Sequence, residues 1–135
     1  MLIVDNNLLS DYLVGVEDAG AFLADHEGHE WAVPAYVVYE AYLGVFHGES
    51  DRLDAVRHGI RSDFEVLPVT ERTAYLALRI QEELQDRGVT LDRADALIAA
   101  SSRENGGTFA TAEKQFFRDD VRDVLDVTPY RPSYL

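Results

Sequence analysis

Residues 91–116 read LDRADALIAASSRENGGTFATAEKQF, and this stretch decides the fold. Asp92 stands where a helix cap belongs, and the apolar positions Ala96, Leu97, Ile98, Ala99 and Ala100 predict a helix from about Arg93 to Glu104. Asn105, Gly106 and Gly107 stop it. Thr108 to Ala110 then reads as a short strand, and Glu113 to Phe117 as a single turn of helix. A helix that turns on glycine straight into a short apolar strand is the return half of a parallel crossover.

The same alternation runs through the rest of the chain. Leu2, Ile3 and Val4 suit a strand buried on both faces, with Asp5 at its carboxyl end. Leu8, Leu9, Tyr12 and Leu13 follow helical spacing with Asn6 as the cap, and Ala19, Phe22 and Leu23 suggest a second helical segment. Trp31 to Val33 reads as a strand. Pro34 belongs in the first turn of a helix that runs to about Phe46, with Val37, Val38, Ala41, Tyr42 and Val45 on its apolar stripe and Gly48 as its stop. Leu53, Val56 and Ile60 mark another helix, and Phe64 to Val69 is a strand candidate closed by Pro68. Thr70 caps a longer helix that carries Leu76, Ala77, Ile80 and Leu84 and stops at Gly88, and Val124 to Val127 is the last edge strand. The expectation is one α/β domain, residues 1–135, with a mostly parallel central sheet flanked by helices.

Composition limits the function. The chain has no cysteine, so disulfides, thiolate metal sites and a cysteine nucleophile are excluded, and any metal must be held by oxygen or histidine. No apolar run reaches the roughly 18 residues of a membrane span, and Met1 to Val4 lacks the basic and long apolar regions of a secretion signal, so the expected location is cytoplasmic. Acids outnumber bases by 25 to 12, for a net charge of −13. Phosphate backbones are normally met by basic surfaces, so this charge opposes a nucleic-acid partner. However, Lys114 is the only lysine, and an acidic surface poor in lysine is what a halophilic source favours through strong screening.

Four acids stand out: Asp5 at a strand end, Glu40 and Asp95 within apolar helices, and Glu113 just after the Thr108 to Ala110 strand. Acids beside buried strands or apolar helix faces need compensation, which shared divalent cations supply. In parallel sheets the carboxyl ends of the strands are also where ligands bind. Each acid has a plainer role open to it. Asp5 could be a helix cap, Glu40 an exposed position on an amphipathic helix, and Asp92 is read as a cap rather than a ligand. His26, His29, His47 and His58 fall in surface segments, and Asp119, Asp120 and Asp123 read as a solvated face.

Taken in order, three strings resemble the PIN-domain nucleases, in particular the VapC-type toxins of toxin–antitoxin pairs. MLIVDNNLLSDYL is similar to that family's opening strand and its metal-binding aspartate, which puts Asp5 in that role; PAYVVYEAYLG is similar to its central helix with an inward glutamate, which puts Glu40 there. LDRADALIAASSRENGGTFATAEKQF resembles its most recognisable stretch, with Asp95 as the third carboxylate and Thr111 as a structural or substrate-orienting hydroxyl. Glu113 stands where the family more often has aspartate, and Gln115 and Phe116 replace a frequent Asp-Phe pair.

The resemblance implies a Mg²⁺- or Mn²⁺-dependent endoribonuclease. Asp5, Glu40, Asp95 and Glu113 would be its metal-binding and catalytic acids, with Asn6 and Thr111 in support. It further implies a cognate antitoxin as partner, RNA as substrate and a homodimer built through the region of Val37, Tyr42 and Leu43. Arg79, Arg93, Arg103, Lys114 and Arg118 flank the site in sequence as candidate phosphate contacts, against a reading of each as a surface ion pair. An RNA-processing nuclease without an antitoxin and a catalytically lapsed binding module remain as alternatives. A phosphate-accepting receiver is disfavoured, because Asn6 and Asn7 do not supply its paired acids.

Overall fold

A computed structural model describes residues 1–131. Among them, five strands form one sheet in the order β3-β2-β1-β4-β5. These are β1 (Leu2–Val4), β2 (Trp31–Pro34), β3 (Glu65–Leu67), β4 (Thr108–Thr111) and β5 (Val127–Pro129). Every pairing is parallel. The helices are α1 (Asn6–Leu13), α2 (Glu17–Ala24), α3 (Ala35–His47), α4 (Leu53–Asp63), α5 (Glu71–Gln85), α6 (Arg93–Glu104) and α7 (Asp119–Arg122). They flank the sheet, and 3-10 turns at Ser50–Arg52 and Lys114–Phe117 complete the pattern.

β1 lies at the centre, between β2 and β4. All three of its residues are buried, as an apolar run without alternation requires of a strand covered on both faces. The chain leaves β1 toward β2 on one side and later returns to β4 on the other. That reversal of strand order opens a crevice at the carboxyl ends of β1 and β4. Packed around the sheet are Leu8, Leu9, Ile60, Ile80 and Leu84, each at most 1% exposed, and Phe109 of β4 is fully buried among them. Thr70 caps α5 as expected: its hydroxyl accepts from Thr73 N and its own N donates to the Thr73 hydroxyl.

Three local expectations are corrected. Asn6 is not the cap of α1 but its first residue; Asp5 holds the cap position, and its Oδ1 accepts from Asn6 N at 2.8 Å. Pro34 is not in the first turn of α3. With φ −61° and ψ 141° it ends β2 in extended conformation and pairs in register with Leu67. The last strand lies at Val127–Pro129 rather than Val124 to Val127. Leu125 N donates to Val121 O at 2.9 Å, so the buried pair Val121 and Leu125 is spaced as a helical turn and is spent on packing before the strand begins.

The α6–β4 turn is the tightest point of the fold. Gly106 adopts φ +64°, a left-handed conformation glycine allows freely. At Gly107 a Cβ would press into the side chain of Ile3 in β1 and sit 3.1 Å from Met1 O. Ile3 is fully buried and has nowhere to move. Gly107→Ala is therefore expected to lower stability by about 1–3 kcal/mol, the usual range for overpacking a core, read as a lower urea midpoint at unchanged slope.

Candidate functional site

At the end of β1 the backbone of Asp5 is tied to β4 by a hydrogen bond from Asp5 N to Ala110 O at 3.1 Å. The side chain is 5% exposed. Oδ1 caps α1, while Oδ2 accepts from the Thr111 hydroxyl at 2.6 Å. Thr111 Oγ1 in turn accepts from Glu113 N at 3.0 Å. One buried carboxylate thus starts a helix, joins the two central strands and orients the turn that carries Glu113. Burial is the largest influence on its pKa and raises it; the bonds from Thr111 and Asn6 oppose this, and the charge of Glu113 adds to it.

Asp95 sits in the first turn of α6, whose cap is Asp92: Asp95 N donates to Asp92 Oδ1 at 2.8 Å. The cap role read from the sequence for Asp92 is the one it fills. Gln115 Nε2 donates to Asp95 Oδ2 at 3.0 Å. Burial pushes Asp95 up to about 6, against the Gln115 hydrogen bond and helped by the charges of Asp92, Asp5 and Glu113. Glu40, on α3, goes further, to about 7, from burial first and then from Asp5, Asp95, Glu113 and Asp92. Glu113 is exposed, 3.4 Å from the Asn7 amide that donates to it. Glu40 therefore feels the charge of the other three candidate acids, which are spread over more than a hundred positions.

A divalent cation fits the chemistry of this donor set, which is all oxygen and suits hard ions such as Mg²⁺ or Mn²⁺. The geometry as it stands is open: among the described residues no three such side chains are gathered closely enough to hold an ion. Three of the four acids are turned onto donors, Asp5 onto Thr111, Asp95 onto Gln115 and Glu113 onto Asn7. A hydrogen bond from a neutral donor to a carboxylate is worth roughly 1.5–3 kcal/mol, which coordination can exceed. Asp95 and Glu113 would have to swing inward, leaving Gln115 and Asn7.

Gln115 and Asn7 are the partners that sequence reasoning missed as contacts of the acids. Gln115 reaches back twenty positions to Asp95, and no local pattern signals that bond. No histidine is among the groups that shift Asp5, Glu40 or Asp95. Of the flanking cations, Arg79 and Arg103 are surface ion pairs, with Glu82 at 3.1 Å and Glu83 at 3.0 Å. Arg93, Lys114 and Arg118 make no ion pair among the described residues. Asp120 and Asp123 pair with Arg87. Val37, expected at a dimer surface, is fully buried; Tyr39, Leu43, Phe46 and Leu53 are the exposed apolar residues there.

Residues 2–120 match the PIN domain family, and the chain belongs to it. No curated protein matches it significantly in sequence. Among solved structures it is similar to VapBC2 from Rickettsia felis bound to a DNA fragment from their promoter, with a TM-score of 0.80 and 16% identity over 96% of this chain and 98% of that one. It is also similar to a toxin-antitoxin complex from Klebsiella pneumoniae, at 0.76 and 18% over 98% and 99%. FitAcB from Neisseria gonorrhoeae gives 0.75 and 23%, with both chains fully covered. At these identities the likeness concerns the fold.

The raised acids set a pH dependence of stability. Glu40 and Asp95 have ordinary values of 4.5 and 3.8, so between those values and about 7 and 6 the folded protein binds more protons than the unfolded chain. Stability then falls as pH rises through that window. Without added divalent cation, the melting temperature is expected to be higher at pH 5 than at pH 7.5, by less than the shifts alone imply, because both side chains are partly solvated. In Glu40→Gln the difference should shrink, and a scan of melting temperature against pH for the two proteins checks it.

Proposed function

We propose that this protein is a divalent-cation-dependent endoribonuclease that hydrolyses RNA phosphodiester bonds and acts as the toxin of a toxin–antitoxin pair. The observation that carries the reading is the gathering of Asp5, Asp95 and Glu113 around Glu40 at the β1–β4 crevice, close enough for their charges to raise it. Like charges crowded at the ligand-binding edge of a parallel sheet cost stability and call for a cation. In this reading Asp5 and Asp95 are the principal ligands, and Glu40 and Glu113 complete the set or act through water. When bound, Mg²⁺ or Mn²⁺ supplies Lewis-acid activation at the scissile phosphate and neutralises the acids.

The chain's own residues supply the frame. Thr111 fixes the direction of the Asp5 carboxylate, with Asn6 N holding its other oxygen. Gln115 occupies Asp95 Oδ2 and would give it up when a cation is bound. Glu40, raised to about 7 in the metal-free protein by burial and by the charges of Asp5, Asp95 and Glu113, would give up its proton when a cation binds the acids. The solved complexes of similar fold support an antitoxin partner, whose tail would cover the acids with a basic side chain. A homodimer would use the exposed apolar side of α3 around Tyr39, Leu43 and Phe46. An acidic, lysine-poor surface accords with a halophilic source and a cytoplasmic site of action.

One observation favours a second reading, a PIN-fold binding module whose chemistry has lapsed: the acids do not converge on a common point as they stand. Cleavage separates the two. Purified protein is expected to cut a mixed single-stranded and structured RNA pool with Mg²⁺ or Mn²⁺, not with EDTA. Asp95→Asn should lower the rate by at least about a hundredfold, roughly 2.7 kcal/mol of transition-state stabilisation, while remaining folded. A folded wild-type protein inactive with every metal would favour the binding module.

A further inference from the structure

A cavity of about 310 Å³ opens directly beside Glu40, between α1, α3 and the Ser50–Arg52 turn. Its size is at the lower end for a small-molecule site. Its walls divide by chemistry. Ala41 and Val45 are apolar, Asn6 and Ser10 are polar, Glu40 and Glu49 are acidic, and Arg52 is the one cation among the described residues that line it. We infer that this cavity is a nucleotide subsite for single-stranded RNA, receiving the nucleoside next to the scissile phosphate, with Arg52 gripping a neighbouring phosphate. The inference rests on the nuclease reading and names how its substrate is held.

Three features support it. Ser10 donates to Asn6 Oδ1 at 3.0 Å, which fixes the Asn6 amide and leaves its NH₂ group without a partner among the described residues, so it can donate to a ribose hydroxyl or base. Among the described residues Arg52 is held only by Glu49 at 3.8 Å, and both side chains are well exposed, so the pair gives up the guanidinium readily to a phosphate, which it can grip with two hydrogen bonds. Gly44 lines the cavity in the middle of α3, and a Cβ there would meet nothing within 4 Å. A glycine inside a helix is about 1 kcal/mol less favourable than alanine, and here its effect is to leave the cavity open. On a chain of net charge −13, this places an arginine close to the acids without a basic surface.

The test uses one fluorescent single-stranded RNA. In cleavage with Mn²⁺, Arg52→Gln is expected to raise KM about tenfold with kcat within about twofold, and to reduce the salt slope of binding by about one. Gly44→Val should raise KM similarly by filling the cavity, at an unchanged or higher melting temperature. Arg61→Gln, on the far part of α4, serves as the control and should match wild type. Wild-type KM in both Arg52→Gln and Gly44→Val overturns the subsite while leaving the nuclease reading intact. Anisotropy of the same RNA on Asp95→Asn protein needs no turnover: a tenfold loss on adding Arg52→Gln supports the subsite, and equal affinity or no binding overturns it. If wild type never cleaves but binds in an Arg52-dependent way, the nuclease reading fails, and with it the placement beside a scissile phosphate, while RNA binding at the cavity stands.

Discussion

The bond from the Thr111 hydroxyl to Asp5, at the junction of the two central strands, is the contact on which the rest depends. An isolated carboxylate at 5% exposure would be costly to bury. It is tolerated because its two oxygens accept from Thr111 and Asn6 N, and these same bonds fix the start of α1 and the exit of β4. Fold and site are therefore coupled at one residue. The strand order brings β1 and β4 side by side, and that adjacency sets Asp5 and Glu113 at one edge although 108 positions separate them.

Around this anchor the acids form a single electrostatic unit. Glu40 and Asp95 come from α3 and α6, which pack against each other, and both are raised by burial and by their neighbours' charge. Asp92 contributes to both shifts without being a candidate ligand, since its carboxylate is engaged as the cap of α6. Such a cluster holds stability in reserve: whatever neutralises it is bound with the relief of repulsion added to the contact itself.

Much of this architecture is legible in the sequence because its signals are local. The β1 run of Leu2 to Val4, the Thr70 cap and the helix between Asp92 and the glycine turn all fall where spacing and capping chemistry place them. The structure brings the four candidate acids within one another's field, though not into a closed metal cage. What sequence could not show was non-local or degenerate. Val124 and Leu125 are as apolar as a strand, and the bonds from both back to Val121 O show them to be a helical tail. Proline at position 34 suits both a strand end and a first turn, and its ψ of 141° decides between them. Contacts such as Gln115 with Asp95 arise from side chains meeting across the crevice and leave no periodic trace.

The central claim, that the acids at the β1–β4 crevice act together as a cation site, is tested most directly by calorimetric titration of Mn²⁺ at pH 6.5 in two buffers of different ionisation enthalpy. Saturable uptake with release of roughly one proton is expected, because Glu40 and Asp95 are partly protonated there and coordination requires their charged forms. Asp95→Asn should lose most of both. The absence of saturable uptake, or uptake that neither releases protons nor depends on Asp95, would contradict it.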